Sequence, residues 1–143
     1  MAIRDALLGP PERRRVHAAA LVGLFLIAIP LSTGGMPLAP AGGVVFVPVG
    51  ASLFGFLAAA ALRFDRAGVL TAWAAVLAPV WGVFAEWAFL SLPGHALLDR
   101  LEFFLSAPVS PFIVGAVVVF GTLGAVVGEA ARRVVEAVRE YDV

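Results

Sequence analysis

The sequence contains no cysteine, and lysine, asparagine and glutamine are also absent. Without cysteine there are no disulfide bonds, no thiolate metal ligands and no cysteine nucleophile. Without asparagine and glutamine, no side-chain amide is available to hydrogen-bond one helix to another. Charged residues are scarce as well, at 14% of the 143 residues. These absences exclude several classes of enzyme and metal site before any pattern is considered.

Hydrophobic residues, in contrast, make up 62% of the chain. A soluble domain carries about 45–50% apolar and about 25% charged residues, so a water-soluble fold could not cover this much apolar surface. The solvent of the chain is therefore lipid, and its length predicts one domain over residues 1–143. The formal net charge is zero, which gives no indication of a nucleic-acid partner.

Long uncharged runs predict helices that cross the bilayer, since about 20 apolar residues span its hydrocarbon core. A Gly/Pro cluster over residues 34–43 separates the first two runs, and residues 63–66 end the second. Ser110 followed by Pro111 is typical of a helix start, because the hydroxyl caps free N–H groups and proline lacks one. Helices are expected rather than a β-barrel, because strict apolar–polar alternation is absent. The four predicted spans cover residues about 16–33, 44–62, 67–92 and 111–131.

Nine of the ten arginines would lie on one side of a membrane that the chain crosses four times. Arginines favour the cytoplasmic side, so we predict a multi-pass cell-membrane protein with both termini in the cytoplasm. Only Arg100 falls on the outer side. An alternative is a cleavable signal peptide, which Arg13–Arg15, the apolar run 16–31 and residues 39–41 loosely resemble. Cleavage would leave three spans with the same C-terminal orientation.

Residues 95–105, between the third and fourth spans, have apolar side chains at helical spacing. This pattern predicts a short amphipathic helix in the outer interface. His95, Asp99 and Glu102 fall on its opposite face. Such a spacing would suit a metal, but a metal site normally needs a further converging donor and none is apparent. A solvated face is the preferred interpretation, and neither a metal nor a cofactor is predicted.

The fourth span is predicted to continue as one helix into a cytoplasmic tail, residues 132–143. Opposite charges recur there at i,i+3 and i,i+4 spacing, which supports an exposed helix. An apolar stripe beside them is expected to pack on the inner membrane surface, on Ala2–Leu8 or on a partner. The stripe consists of Ala131, Val134, Val135 and Val138.

The predicted fold class is therefore an all-α membrane protein. Four transmembrane helices form one bundle, a short outer interfacial helix lies between helices 3 and 4, and helix 4 has a cytoplasmic extension. Small residues at helical spacing mark the faces on which helices approach closely in lipid, within the chain rather than between copies. The predicted helix-packing residues are Ala75, Pro79 and Gly82 in the third span and Gly121, Gly124 and Gly128 in the fourth.

Glu86 is the candidate functional residue. It continues the small-residue face of the third span and lies within that span, near its outer end. A carboxylate inside a membrane is by default a hypothesis for proton or cation handling. The structural alternative, which we prefer, is that Glu86 reaches the outer interface, pairs with Arg100, or accepts a hydrogen bond from Ser32 or Thr33.

No motif specifies a reaction, so no catalytic residue is predicted and a membrane enzyme is the least favoured class. The preferred function is a structural or partner subunit of a membrane assembly. The alternative is a small oligomeric transporter or channel that handles protons or cations through Glu86. The predicted partners are the lipid bilayer and either a second copy of the chain or another membrane protein, but no nucleic acid.

Overall fold

The computed structural model describes residues 2–34, 48–91 and 94–141, and helices account for nearly all of them. Two 3-10 turns, Pro11–Arg13 and Ala107–Val109, precede the second and the sixth helix, and a π-helical turn, Trp87–Ser91, extends the fourth. The described residues contain no strand, so the predicted all-helical class is confirmed. The helices are α1 (Ala2–Leu8), α2 (Arg14–Thr33), α3 (Val49–Phe64), α4 (Val69–Glu86), α5 (Leu97–Ser106) and α6 (Pro111–Tyr141).

Three helical segments are long and apolar enough to cross a membrane, by length and composition. α3 is a shorter apolar helix of 16 residues. The predicted start of the second span, residues 44–47, lies outside the described residues. These apolar helices agree with the predicted membrane-embedded protein. The three segments are Ile3–Thr33, Val69–Ser91 and Pro111–Tyr141.

α4 lies at the centre of the helix packing, where it contacts α2, α3 and α6. Most of its residues are buried, and its fully buried side chains include Val76, Val80 and Val83. α2 packs chiefly on α4, whereas α3 packs on both α4 and α6. A helix with neighbours on three sides needs small side chains on several faces, and the Ala- and Gly-rich sequence of α4 supplies them.

The four long helices alternate in direction. One core cluster joins Ala59, Ala72 and Ala125, and Leu21 packs against it. The other core cluster joins Ala51, Val83 and Ile113, and Leu31 packs against it. Residue numbers therefore rise from the first cluster to the second along α2 and α4, and they fall along α3 and α6. α2 and α4 are parallel to each other and antiparallel to α3 and α6.

The start of α6 agrees with the prediction from the sequence, whereas the start of α4 differs from it. The Ser110 hydroxyl accepts a hydrogen bond from the Ile113 N–H at 3.3 Å, so the Ser-Pro pair does cap α6. α4 starts at Val69 instead of residue 67, because Ala67 and Gly68 belong to the turn that reverses the chain after α3. The helix from Pro111 then runs without interruption to Tyr141.

α1 packs on this same turn. A Cβ atom built on Gly68 would lie 2.1 Å from the Leu7 carbonyl oxygen, so only glycine permits the contact. Gly9, with a φ of +76°, ends α1 in the left-handed conformation that favours glycine. The apolar stripe of α6 is not covered in this arrangement, because Val134 and Val138 remain exposed.

Candidate functional site

Glu86 is the last α-helical residue of α4, and its side chain is buried. Its Oε1 atom accepts a hydrogen bond from the Ser91 hydroxyl. Burial of a carboxylate away from water is costly unless hydrogen bonds replace those of the solvent. Ser91 supplies one such bond from the same helical segment, which makes the pair the most polar feature of the buried core at this end of the molecule.

The π-helical turn explains how Ser91 reaches Glu86. Residues five apart do not face each other on an α-helix, where neighbours are three or four apart. In a π-helix the hydrogen bonds run between residues five apart, so Ser91 comes to lie over Glu86. Short π-helical segments are rare and frequently lie at functional sites. The third span was predicted as a single helix, and neither the π-helical turn nor Ser91 was identified from the sequence.

The other partners suggested by the sequence make different contacts. Thr33 Oγ1 donates a hydrogen bond to the Ile29 carbonyl oxygen at 3.0 Å. Arg100 Nε donates to the His95 carbonyl oxygen at 3.1 Å. The expected pairing of Glu86 with Arg100 or Thr33 is thus replaced by the contact with Ser91, whose donor lies closer along the chain.

Ser32 is the remaining polar residue at this level. Gly82 of α4 packs on Ala28 of α2, and the two helices are parallel, so Glu86 and Ser32 each lie one turn further along. The Ser32 hydroxyl is buried, and it has no hydrogen-bond partner among the described residues. A buried carboxylate and a buried hydroxyl with no partner among the described residues therefore lie at the same level of the α2–α4 contact.

The predicted packing residues of α6 lie at its contacts with α3 and α4. A Cβ atom built on Gly124 would lie 2.8 Å from the Phe56 carbonyl oxygen of α3. One built on Gly128 would lie 2.2 Å from the Ala60 carbonyl oxygen, also in α3. Gly121 instead approaches α4, where its added Cβ would lie 2.9 Å from the backbone of Trp73.

The packing residues of α4 are buried at its contacts with α2 and α3. A Cβ atom built on Gly82 would lie 2.5 Å from the Phe25 carbonyl oxygen of α2. A Cβ atom built on Gly55 of α3 would lie 2.9 Å from the Ala75 carbonyl oxygen. Pro79 is fully buried. The backbone of α4 is thus close to two other helices at these small residues.

Charged side chains form a network where α3 and α6 meet. Glu129 accepts hydrogen bonds from Arg132 at 2.7 Å and from Arg133 at 2.9 Å. Arg63 of α3 also lies 3.6 Å from Glu129. Glu136 accepts from Arg132 at 2.8 Å and from Arg66 at 3.5 Å. We call this network the arginine-rich end; its members are Arg63, Arg66, Glu129, Arg132, Arg133 and Glu136.

Asp65 connects the same end to the start of α2. It pairs with the Arg13 guanidinium group, and its second oxygen lies 3.2 Å from His17 Nε2. His17 is buried, and its Nδ1 atom has no hydrogen-bond partner within the described part of the chain. This cluster was not predicted from the sequence. The only indication of it was that Asp65, in the second predicted loop, and three consecutive arginines were predicted on the same side of the membrane.

α5 is attached to the rest of the molecule by aromatic rings rather than by its leucines. The ring centroid of Phe103 lies 5.9 Å from that of Phe84, and the centroid of Phe104 lies 5.6 Å from that of Trp81. Trp81 Nε1 also donates to the Phe104 carbonyl oxygen at 3.1 Å. The apolar face predicted from helical spacing consists of Leu97, Leu98, Leu101, Phe104 and Leu105, so it includes Phe104 but leaves out Phe103. Leu97, Leu98, Leu101 and Leu105 are all exposed.

His95, Asp99 and Glu102 are exposed on this helix and its approach. Across residues 2–34, 48–91 and 94–141, no group of three or more His, Asp or Glu side chains is placed to hold a metal. Comparison with protein-family models, with curated proteins and with solved structures finds no match to this chain. Its function is therefore argued from Glu86, from the arginine-rich end and from the extension of α6.

Proposed function

We propose that the chain is a single-domain, four-span protein of the cell membrane that serves as a structural or partner subunit of a membrane assembly. α2, α3, α4 and α6 are the four spans, and both termini lie in the cytoplasm. The alternating directions of these helices support this topology. So do the contacts of Arg13 with Asp65 and of Arg66 with Glu136, which gather the arginines at one end. That end then faces the cytoplasm.

The length of α6 supports a cytoplasmic extension. Its 31 residues measure about 46 Å at 1.5 Å per residue, whereas the hydrocarbon core of a bilayer is about 30 Å thick. Roughly ten residues therefore lie beyond the hydrocarbon core. The ion pairs of the arginine-rich end mark the place where the helix leaves it.

The observation that carries the proposal is which side of this extension faces its own chain and which side is exposed. Its charged side chains pair with one another and with the end of α3, within the same chain. Its apolar side faces away from α3, and Val134 and Val138 are 62% and 55% exposed. Exposed apolar surface rimmed by polar residues is typical of an interaction site. Because charged side chains of this extension pair within the same chain, its apolar side remains free to contact a partner.

A membrane-spanning helix of another subunit suits this side of α6. The exposed apolar side chains continue from Val119 and Leu123 within the span to Val134, Val138 and Tyr141 beyond it. The last three are spaced by four and three residues, as in helices that pack along a common seam. A partner helix beside α6 would cover the whole length. That subunit is a second copy of this chain or another membrane protein.

Photo-crosslinking in native membranes tests the proposal. A photoreactive residue at Val138 is compared with one at Glu140, which is exposed on a different side of the same turn. We expect one discrete crosslinked product from position 138 and none from position 140. Equal products from both positions, or none from 138, would contradict a partner on this side. The mass of the product distinguishes a second copy from another protein.

Proton or cation handling through Glu86 is the second candidate function. It is favoured by the buried carboxylate, by the π-helical turn and by the buried hydroxyl of Ser32 at the same level, which has no partner in the described part of the chain. The test is flux in proteoliposomes, with Glu86→Gln compared with Glu102→Gln, which neutralises an exposed carboxylate of α5. This function requires a flux that Glu86→Gln abolishes and Glu102→Gln preserves. Absence of any flux in the unaltered protein would rule it out.

A further inference from the structure

A cleft of about 370 Å³ lies beside α6, open at the arginine-rich end. Its lining surface is mostly apolar, and three charged residues line it at the arginine-rich end, which we call its mouth. The apolar lining includes Val69, Val126 and Ala130, and the mouth includes Arg63, Glu129 and Arg133. Such a cleft is complementary to a phospholipid, because its apolar walls suit an acyl chain and the arginines at one end suit a phosphate.

Trp73 of α4 packs beside this cleft, next to the lining residue Thr122. Its indole ring packs on Gly121, where no side chain keeps it away. Its Nε1 atom donates a hydrogen bond to the Thr122 hydroxyl at 3.1 Å. Thr122, the lining residue of α6 farthest from Arg133, is thus held by a contact within the chain.

The two parts of the cleft lie at suitable depths in a bilayer. Arg133 follows Val126 by seven residues, which is about 10 Å along the helix axis. The polar region on each side of a bilayer is about 5–7 Å deep beyond the hydrocarbon core. A lipid whose acyl chain lies along Val126 therefore has its phosphate near Arg133.

Two arginines and one glutamate line the cleft, so one positive charge is in excess there and favours an anion. The arginine-rich end has four arginines and two glutamates, so two positive charges are in excess. The side chain of Arg133 is 75% exposed, and its Nε atom is bound to Glu129. A guanidinium group has five N–H donors and binds phosphate through parallel hydrogen bonds. Arg63 donates from Nη1 to the Ala67 carbonyl oxygen at 2.7 Å and lies 3.6 Å from Glu129. The remaining N–H groups of Arg133 and Arg63 are the donors left for phosphate oxygens.

We propose that this cleft binds one anionic phospholipid of the cytoplasmic leaflet. The phosphate lies at Arg63 and Arg133, and one acyl chain lies along Val69 and Val126. Basic pockets between membrane helices on the cytoplasmic side suit anionic head groups in this way. The inference rests on the proposed membrane topology but not on the proposed partner at the extension of α6.

Native mass spectrometry of the full chain in neutral detergent tests the site. The protein is offered phosphatidylglycerol and phosphatidylcholine with the same acyl chains, and retained lipids are counted. We expect one phosphatidylglycerol per chain, retained in preference to phosphatidylcholine. Arg133→Gln should weaken retention about five-fold, the effect of one arginine on an anionic lipid. Arg139→Gln removes the same charge from the same helix outside the cleft, and it should leave retention unchanged.

A second pair of variants tests the apolar part. Val126 and Val127 are both exposed valines of α6, but only Val126 lines the cleft. Val126→Phe should fill the cleft and reduce retention, while Val127→Phe should not. Because both side chains are exposed, neither variant should prevent folding.

Three results would overturn the proposal. Equal losses from Arg133→Gln and Arg139→Gln would mean that net charge attracts the lipid without a site. Equal effects of the two phenylalanine variants would remove the acyl-chain contact. Competition by glycerol phosphate as strong as that by the lipid would indicate a site for soluble anions. Failure here leaves the crosslink from position 138 untouched, so the lipid site and the proposed function are tested separately.

Discussion

The two ends of the helix packing are held together by different chemistry. At the arginine-rich end, ion pairs join α3 to α6, and Asp65 joins the turn after α3 to α2. At the opposite end, which we call the aromatic end, ring contacts join α5 to α4. The Phe84 ring lies 5.8 Å from Trp87 and 5.9 Å from Phe103, and Phe104 contacts Phe89 at 5.6 Å.

Under the proposed topology, this difference lets one chain encode its orientation and its packing together. Arginines are retained on the cytoplasmic side during insertion, but unpaired cations would repel one another where the helices meet. The glutamates of the arginine-rich end offset that repulsion by forming ion pairs, so the same arginines also hold helices together. The aromatic end has few charges to pair, so it relies on rings, which bury large areas in defined geometries.

The largest expected effect comes from one substitution made at two different glycines of α6. A Cβ atom on Gly128 would lie 2.2 Å from the Ala60 carbonyl oxygen, whereas one on Gly115 would have no neighbour within 4 Å. Gly128→Leu should therefore lower the free energy of unfolding by about 3 kcal/mol through overpacking. Gly115→Leu should change it by less than about 0.5 kcal/mol. Unfolding in detergent–SDS mixtures measures both, and equal losses would contradict the close α3–α6 contact.

Removal of a ring at the aromatic end should have the next largest effect. Phe103→Ala removes the contact with Phe84 and should cost about 2 kcal/mol, since a partly buried ring contributes less than a core ring. Leu98→Ala truncates a side chain of α5 that is 77% exposed, and it should cost less than about 0.5 kcal/mol. The same unfolding assay applies. If the leucine variant loses as much, α5 is attached by its leucines instead.

Loss of a shared carboxylate should weaken the arginine-rich end more modestly. Glu129 accepts from Arg132 and Arg133 and lies near Arg63. Glu129→Gln should cost about 1 kcal/mol, because partly exposed ion pairs are individually weak. The loss should shrink at high salt, which screens exposed charges. Glu140→Gln, on the exposed end of the same helix, is the control and should have no effect; a loss independent of salt would argue against ion pairing.

The smallest effect on stability is expected at Glu86. Glu86→Gln keeps the shape of the side chain and an oxygen that can accept from Ser91, so it should cost about 0.5 kcal/mol. Thermal unfolding of the purified protein measures this. A loss several times larger would show that the negative charge itself stabilises the end of α4, which the hydrogen bond to Ser91 does not require.

The helices of this protein could be predicted from the sequence because span length and composition are local properties. The start of α6 followed from Ser110 and Pro111, and the length of its extension followed from charges spaced three and four residues apart. The glycines of α6 could be placed on contacts for the same reason, because helical spacing decides which residues share a face. Which helix each glycine meets could not be predicted from spacing alone.

The surroundings of Glu86 and Asp65 depend on tertiary structure. The bond from Ser91 exists because α4 ends in a π-helical turn, and no local pattern identified that turn. Asp65 meets Arg13 and His17 because α2 and α4 run in parallel with the turn after α3 beside the start of α2. To predict either arrangement, one must know which helices are neighbours. Local patterns in a single sequence do not give that information.

The membrane topology is the central claim, and labelling of single cysteines tests it most directly. The chain has no native cysteine, so each introduced thiol is the only target of a membrane-impermeant reagent. We expect positions 12, 66 and 137 to label from the cytoplasmic side and positions 42 and 99 from the outside. Labelling of positions 42 and 66 from the same side would show that α3 does not cross the membrane, and it would contradict the four-span account.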